Sequence, residues 1–348
     1  MKLWHRVSDT VRGLVHGAER WLVTERRALH AVAMTRILLG LSILGLLVTN
    51  FSTRQTWAGD ASVWADPARS LSRFPEVAIL DGVSGDLLSL VYVVVMLAAF
   101  AFMIGWHAKA ANGVTVVGFI AITAQNPVLE GAADNIVRLG LLWLLLMRTS
   151  EVWAVDASRP RPDREAAVPD WLRTGLHNVG LVGLSIQTVL VYLAAGLDKV
   201  ADSGWQRGTA LYTTLRLPEN RPFPGLSDVL TSSSVVLALV TWLVLVVQLF
   251  FAPLLLSRFT RQLAAWSAIV VNLLFAVVLA APWSALAFVA VTVVFIDDDW
   301  WEDRGERVAD RMFPVTDWFL DRWYPVVDRV ADAWFAVTDF VRVTIFRR

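Results

Sequence analysis

The chain has 348 residues, of which 56% are hydrophobic, and its 31 basic residues equal its 31 acidic ones in number. This hydrophobic fraction exceeds that of soluble globular domains, so we expect an integral membrane protein. The formal net charge of zero gives no reason to expect a nucleic-acid partner, and the absence of cysteine excludes disulfides, thiol nucleophiles and cysteine-ligated metal sites.

The N-terminal segment, residues 1–27, is charged and interrupted, and it contains no apolar run of the length found in signal peptides. We expect it to be retained as a cytoplasmic amphipathic segment in front of the membrane domain.

The region 28–296 contains eight apolar stretches, each a candidate transmembrane helix, since a helix needs about 17–25 residues to cross a bilayer. Their ranges are 28–49, 87–106, 112–129, 133–147, 179–197, 235–256, 263–279 and 282–296. The last two are short and meet at Pro282, which suits a first helical position. The pattern predicts an all-α, polytopic helical bundle with about eight spans, and seven spans is the alternative.

The basic residues support eight spans, because cytoplasmic loops of membrane proteins are enriched in Lys and Arg. With the N-terminus inside, 23 of the 31 basic residues lie on the inner side and seven on the outer side, and Arg138 lies within a span. Arg36 in the first span is then expected to anchor at the inner leaflet. We therefore expect a multi-pass protein of the cell membrane with both termini in the cytoplasm.

The C-terminal tail, residues 297–348, repeats a short aromatic and acidic pattern every eleven residues, ending at Asp317, Asp328 and Asp339. Such a period keeps an apolar stripe on one helical face. The tail is predicted to be an amphipathic helix that either lies on the cytoplasmic leaflet or packs under the bundle.

Lys199 is the strongest candidate for chemistry, since it ends the apolar run 179–197 on the predicted outer side. Tyr192, Gly196 and Lys199 share one helical face, with a gap at the glycine that could admit a flat ligand. A lysine in this position either extends its ammonium to the headgroups or acts as a base in an apolar pocket. The helical spacing of these three residues is compatible with both interpretations.

The fourth apolar stretch adds polar groups at the same side of the membrane, namely Asp134, Asn135 and Arg138. Asp134 and Arg138 are four residues apart, which predicts an ion pair on one helical face. Ionisable groups at membrane depth are candidates for function, and a structural ion pair is the alternative. The five histidines fall on the inner side without ligand spacing, so we expect no metal site.

The residues named above also carry a resemblance to a known family. The segments 33–40, 125–127, 134–138 and 187–210 are similar, in this order, to those of the HTTM (horizontally transferred transmembrane) domain. This domain also forms the membrane portion of vitamin K-dependent gamma-carboxylase, and a bacterial branch includes the sporulation-delaying protein B group, linked to maturation of a peptide toxin. The resemblance covers about residues 28–296 and is most specific in 187–210.

The resemblance implies a role for several residues of this chain. In the carboxylase a lysine in the matching block deprotonates vitamin K hydroquinone, which implies that Lys199 is a general base and that Tyr192, Gly196 and Trp205 line its substrate site. Asp134, Asn135 and Arg138 would tune charge and orientation there. This chain differs from the carboxylase at two points: the carboxylase has an Asn-His pair where this chain has Asp134 and Asn135, and we expect no counterpart here of the large outer domain that binds the glutamate-bearing substrate.

Two functional hypotheses follow for what we expect to be a bacterial plasma-membrane protein. The first is binding of a quinol-type lipid in an outward-facing pocket between the fourth and fifth spans, with Lys199 as base and without carboxylation of protein glutamates. The second is a non-catalytic membrane partner for maturation or export of a small peptide, with the outer segments 51–86 and 202–231 as its binding surface.

The eight-span topology predicts the side on which each reporter fusion is active, because each additional span inverts the following loop. Fusions are expected outside after Ser52, Gly131, Arg221 and Pro282, and inside after Lys109, Arg164, Arg261 and Arg348. Paired alkaline phosphatase and fluorescent-protein reporters measure this, and an outside signal at Arg348 would contradict eight spans.

Overall fold

The computed structural model describes residues 13, 16–70, 78–158 and 168–307. The chain divides into two units, Met1–Asp298 and Asp299–Arg348. In the second unit, residues 299–307 are helical, and the rings of Trp300 and Trp301 contact each other with centroids 4.7 Å apart. The eleven-residue repeat lies outside the described residues, and of the predicted N-terminal amphipathic segment residues 16–23 are helical.

The described residues are helical and contain no strand, which confirms the predicted all-α fold. A helix lies at each of the eight predicted apolar stretches: α1 Leu29–Thr49, α2 Gly85–Ile104, α3 Ala108–Thr123, α4 Ala132–Leu146, α5 Asp170–Ala201, α6 Ser234–Leu254, α7 Arg258–Val278 and α8 Pro282–Thr292. Short α-helical and 3-10 segments connect them: Arg54–Ala58, Asp60–Ala65, Asp66–Ser70, Pro127–Leu129, Val155–Ser158, Ser203–Gln206, Ala210–Arg216, Pro218–Asn220 and Pro224–Ser232, and Val293–Phe295 follows α8.

Five of the described helices, α1, α2, α5, α6 and α7, are long and apolar enough to cross a membrane. With 16, 15 and 11 residues, α3, α4 and α8 are shorter than the usual crossing length. The chain is therefore a multi-pass membrane protein, and the count of eight spans stays a prediction.

Helix α1 lies at the centre of the bundle. Of its apolar window 61% is buried, against 28–39% for the other four long helices. It packs against α2, α4 and α8, while α5 packs against α4 and α6, and α7 joins α6 to α8. Lipid tails are as apolar as aliphatic side chains, so moving a side chain from lipid into a helix interface yields little hydrophobic free energy. Membrane helices therefore associate through close packing. Gly118 illustrates this on α3, since a Cβ there would lie 2.1 Å from Val95 of α2.

A buried arginine fixes α1 at the end of the bundle that the charges predict to be cytoplasmic, called here the predicted inner end. Arg36 is 0% exposed, its Nη1 donates to Thr149 O at 2.5 Å, and its Nη2 donates to Trp153 O. The expectation that Arg36 anchors at the leaflet is therefore wrong, because its guanidinium is enclosed by protein. Buried charge needs such hydrogen bonds to offset its desolvation.

The loop 147–158 receives this arginine and is held on its other side as well. Asp156 N donates to Gly105 O at 3.0 Å, and the Asp156 carboxylate accepts from Ala108 N at 3.1 Å. Gly105 has φ +73°, and a Cβ there would lie 2.8 Å from Arg36 Nη1. One loop thus ties together the ends of α1, α2 and α3.

The segment that precedes α1 is tied to α5 at the same end. Asn178 Nδ2 donates to Leu22 O and to Glu25 O, both at 2.8 Å, and Asn178 Oδ1 accepts from Arg27 N. His177 Nδ1 accepts from Arg148 N, so its proton is on Nε2, which donates to Arg27 O at 2.8 Å. Part of the predicted N-terminal segment is therefore packed on the bundle.

Replacing Arg36 with methionine is expected to destabilise the protein strongly. The buried carbonyl oxygens of Thr149 and Trp153 lose their hydrogen-bond donor. Each unpaired carbonyl lowers the free energy of unfolding by about 1–3 kcal/mol. Thermal unfolding of purified protein in detergent measures the loss. Arg207→Met is the control, because Arg207 is exposed and its side chain, within the described part of the chain, hydrogen-bonds to the nearby Ser203. Equal melting temperatures for the two variants would contradict the role of Arg36.

Candidate functional site

Lys199 and Trp205 lie together at the end of α5. Lys199 Nζ donates to Ala195 O at 3.3 Å and lies 5.0 Å from the centre of the Trp205 ring. Trp205 is held there because Asp202 Oδ1 caps the short helix Ser203–Gln206, accepting from Gly204 N at 2.7 Å and from Trp205 N at 3.1 Å. The ammonium thus has a carbonyl and an aromatic face as partners.

Tyr192 is part of the packing between four helices. Its side chain is 2% exposed, and its ring lies against Phe251 with centroids 4.4 Å apart. Asn272 Nδ2 donates to Tyr192 Oη at 3.0 Å, Tyr192 Oη donates to Thr292 Oγ1 at 2.9 Å, and Thr292 Oγ1 donates to Phe288 O. The hydroxyl is therefore fully paired within the protein and connects α5, α7 and α8.

Gly196 serves the close approach of α5 and α6. A Cβ at this position would lie 2.9 Å from both N and Cα of Leu249. The gap that the sequence places on this helical face is thus filled by the backbone of α6. Tyr192 and Gly196 lie in helix interfaces, and Lys199 with Trp205 lies at the helix end.

The polar residues at the start of α4 form a different pairing from the predicted one. Arg138 donates to both oxygens of Glu130, at 2.5 and 3.1 Å, and to Thr123 Oγ1 at 2.5 Å. Asp134 Oδ2 instead accepts from Gly131 N at 2.8 Å, at the beginning of the helix. The predicted ion pair of Arg138 with Asp134 is therefore corrected to a pair with Glu130. Asn135 is exposed.

A cavity of about 240 Å³ opens beside this cluster. It lies where α1 and α3 end and where α4 and α8 begin, called here the predicted outer end. Its walls come from four helices and the connecting segments, and they carry three large aromatic rings and two carboxylates. The principal lining residues are Ile43, Leu46, Trp57, Phe119, Thr123, Asn126, Glu130, Asp134, Val137 and Trp283.

Trp283 illustrates how the cavity wall is fixed. Its ring lies against Gly45 of α1, where a Cβ would come within 2.3 Å of the ring. Its Nε1 donates to Thr49 Oγ1 at 3.1 Å, and its carbonyl accepts from Ser42 Oγ at 2.7 Å. A close packing contact and two hydrogen bonds thus hold together the wall formed by α1 and α8.

Asp134 is the predicted site residue found among the residues lining the cavity. Lys199, Tyr192, Gly196, Asn135, Arg138 and Trp205 are not among them, although Arg138 reaches the cavity through Glu130 and Thr123. Sequence reasoning missed Trp57, Asn126 and Trp283 as site residues. The polar Gln125-Asn126 pair directly after an apolar run was the signal that could have pointed to this end of the bundle.

The fold and the site define a multi-pass, all-helical membrane protein with a partly polar cavity near one end of its helices. The model of the HTTM domain matches residues 25–300, so the chain belongs to the HTTM domain family. No curated protein and no solved structure matches it.

The contacts of Lys199 predict how it tolerates substitution. Lys199→Arg is expected to keep the wild-type melting temperature, because a guanidinium can also donate to Ala195 O and lie on the Trp205 ring. Lys199→Ala is expected to lower the free energy of unfolding by about 0.5–2 kcal/mol. Thermal unfolding in detergent measures both, and an Ala variant as stable as the Arg variant would show that these contacts contribute nothing.

Proposed function

We propose that this HTTM-domain protein binds a quinol-type lipid, with the ring of the lipid in the cavity at the predicted outer end. The observation that carries this proposal is a cavity with aromatic walls and a carboxylate, Asp134, at the boundary of the membrane helices. Ligand sites of this kind are mostly apolar, with a few polar groups that fix orientation.

The walls fit a flat apolar ring. Trp57, Phe119 and Trp283 come from three separate elements, and aliphatic side chains of α1 and α4 fill the space between them. Aromatic ligands gain from contact with such rings in addition to the burial of their apolar area. A volume of about 240 Å³ matches a ring headgroup, and the isoprenoid tail of such a lipid would lie outside the cavity.

The two carboxylates of the cavity differ in how strongly protein groups already bind them. Both oxygens of Glu130 accept from Arg138, so its charge is neutralised in a bidentate pair. Asp134 uses Oδ2 to accept from Gly131 N at the start of α4, whereas the salt bridge of Arg138 goes to Glu130. Asp134 is therefore the carboxylate we assign to accept a hydrogen bond from a quinol hydroxyl.

Proton transfer by Lys199 enters this proposal only through the family resemblance, since Lys199 does not line the cavity. Lys199→Arg also tests this role, because a guanidinium stays protonated and cannot act as a base. A base role requires that the Arg variant retains bound lipid but no longer consumes oxygen with added quinol. Unchanged oxygen consumption would contradict it.

The second hypothesis, a partner for a small peptide, is favoured by apolar side chains on the predicted outer segments. Val63, Trp64, Phe223 and Val229 are each more than half exposed there. Such side chains suit either a peptide or the membrane surface. The presence or absence of a bound lipid in the purified protein distinguishes the two functional hypotheses.

Protein purified from its native membrane in mild detergent is expected to carry a quinone or quinol, detected by mass spectrometry of its lipid extract. Asp134→Asn is expected to lower the bound amount about fivefold, because a hydrogen bond to a neutral amide is weaker than one to a carboxylate, while the amide oxygen can still accept from Gly131 N.

Asp228→Asn is the matched control. It makes the same chemical change on the predicted outer side, where Asp228 pairs with Arg216 and Arg221 and does not line the cavity. An extract without quinone or quinol from the wild-type protein would overturn the lipid proposal and favour the peptide partner. Equal amounts of bound quinone or quinol in the two variants would show that Asp134 does not contribute to lipid binding.

A further inference from the structure

The segment that joins α6 to α7, residues 255–259 and called here the α6–α7 turn, carries the two most exposed large apolar side chains of the described residues. Leu256 is 90% exposed and Phe259 is 81% exposed, whereas the other large apolar side chains described do not exceed 65%. Arg258 lies between them, with 77% of its side chain exposed. Such a combination suits a partner surface that is both apolar and anionic.

The α6–α7 turn is held by its own hydrogen bonds. Thr260 Oγ1 donates to Leu254 O at 2.6 Å, and Arg261 N donates to Ser257 O at 2.8 Å. These bonds link the end of α6 to the first turn of α7. The exposed side chains are therefore presented by a short segment with a defined backbone.

Phe259 also begins an exposed apolar stripe along α7. This helix is one of the five that are long and apolar enough to cross a membrane. The stripe follows the helical spacing of three, four and seven residues, so it lies on one face. Its members are Phe259, Leu263, Val270, Leu274 and Val277. The apolar part of the turn thus continues a face that α7 presents to lipid.

Contacts with neighbouring segments place the turn at the predicted inner end. Arg261 Nη2 donates to Asp297 Oδ1 at 2.5 Å. The next residue, Asp298, accepts from Ala31 N at the start of α1 and lies 3.1 Å from His30 Nδ1. The turn is therefore expected to face the headgroups of the cytoplasmic leaflet.

The charges of this surface favour an anion. Arg258 Nε lies 3.6 Å from Asp297 Oδ2, and Arg261 pairs with the same carboxylate at 2.5 Å. One carboxylate thus serves two guanidinium groups, which leaves a net positive charge beside the exposed apolar side chains. Anionic lipids of the cytoplasmic leaflet attract arginines placed at the membrane surface.

We infer that the α6–α7 turn binds an anionic phospholipid of the inner leaflet. Arg258 donates to the lipid phosphate, since a guanidinium matches phosphate oxygens in a bidentate geometry. Leu256 and Phe259 lie at the boundary with the acyl chains. A zwitterionic phosphatidylcholine suits this surface less well, because its choline cation cancels the charge of the phosphate. This lipid site is separate from the cavity and does not depend on the proposed function.

The absence of cysteine from the chain allows a site-specific test in the full-length protein. Ser257 is exposed and its side chain makes no cap hydrogen bond, so Ser257→Cys can carry a bimane fluorophore within the turn. The labelled protein is placed in phosphatidylcholine nanodiscs that contain a small fraction of nitroxide-labelled phosphatidylglycerol or nitroxide-labelled phosphatidylcholine. We expect labelled phosphatidylglycerol to quench like an about fivefold higher concentration of labelled phosphatidylcholine.

Substitutions in the labelled protein separate the contribution of charge from that of apolar contact. Arg258→Gln is expected to abolish the preference for phosphatidylglycerol, because Asp297 then offsets Arg261. Arg258→Lys is expected to keep most of it, since an ammonium keeps the positive charge. Replacing Leu256 and Phe259 together with serine is expected to lower the quenching by both lipids.

Arg207→Gln is the matched control. Arg207 is also an exposed arginine, but its neighbours in the chain are Gln206 and Gly208 instead of large apolar residues. We expect this variant to keep the full preference. Equal quenching by the two labelled lipids, or a preference that persists in Arg258→Gln, would overturn the inference. Quenching by neither lipid would also overturn it and would assign the exposed side chains of the turn to a contact with protein.

Discussion

The buried guanidinium of Arg36 is the constraint on which the arrangement of the first helices depends. A charge enclosed in protein is tolerated only when hydrogen bonds compensate for lost hydration, and here the compensation comes from two carbonyls of the loop 147–158. Because this loop also bonds to Gly105 and to Ala108, the ends of α2 and α3 are tied to α1. The central helix of the bundle thus has its predicted inner end held by polar contacts with this loop.

The opposite end of α1 is arranged differently, and this contrast explains where a ligand site can form. There α1 packs on Trp283 through Gly45 and diverges enough from α3 and α4 to leave the cavity. The polar groups at this end pair around the cavity, since Arg138 donates to both oxygens of Glu130 and to Thr123 Oγ1. An inner end held by hydrogen bonds and a cavity at the outer end together make a preformed site.

The helices could be predicted from the sequence because their signals are local. Apolar runs of sufficient length, Gly105 at the end of α2 and Pro282 at the start of α8 mark helix positions without knowledge of the tertiary structure. The partners of polar side chains were not predictable in this way. Arg138 has a carboxylate four residues before it, yet Asp134 is used to cap the helix, and Glu130, on the extended segment that precedes α4, pairs with the guanidinium instead.

The candidate site was predicted only in part, through Asp134, because its other members are brought together by tertiary contacts. Trp57 and Asn126 are 69 residues apart, and nothing in their local sequence indicates that the amide of one bonds the carbonyl of the other. In the sequence, the helical face from Tyr192 to Lys199 was the strongest candidate for a ligand site, but much of it contacts protein. The tyrosine hydroxyl hydrogen-bonds to Asn272 and Thr292, and the backbone of α6 fills the gap at the glycine. A polar residue in a membrane helix is thus informative about function only after its protein partners are known, since pairing within the bundle satisfies groups that look available in the sequence.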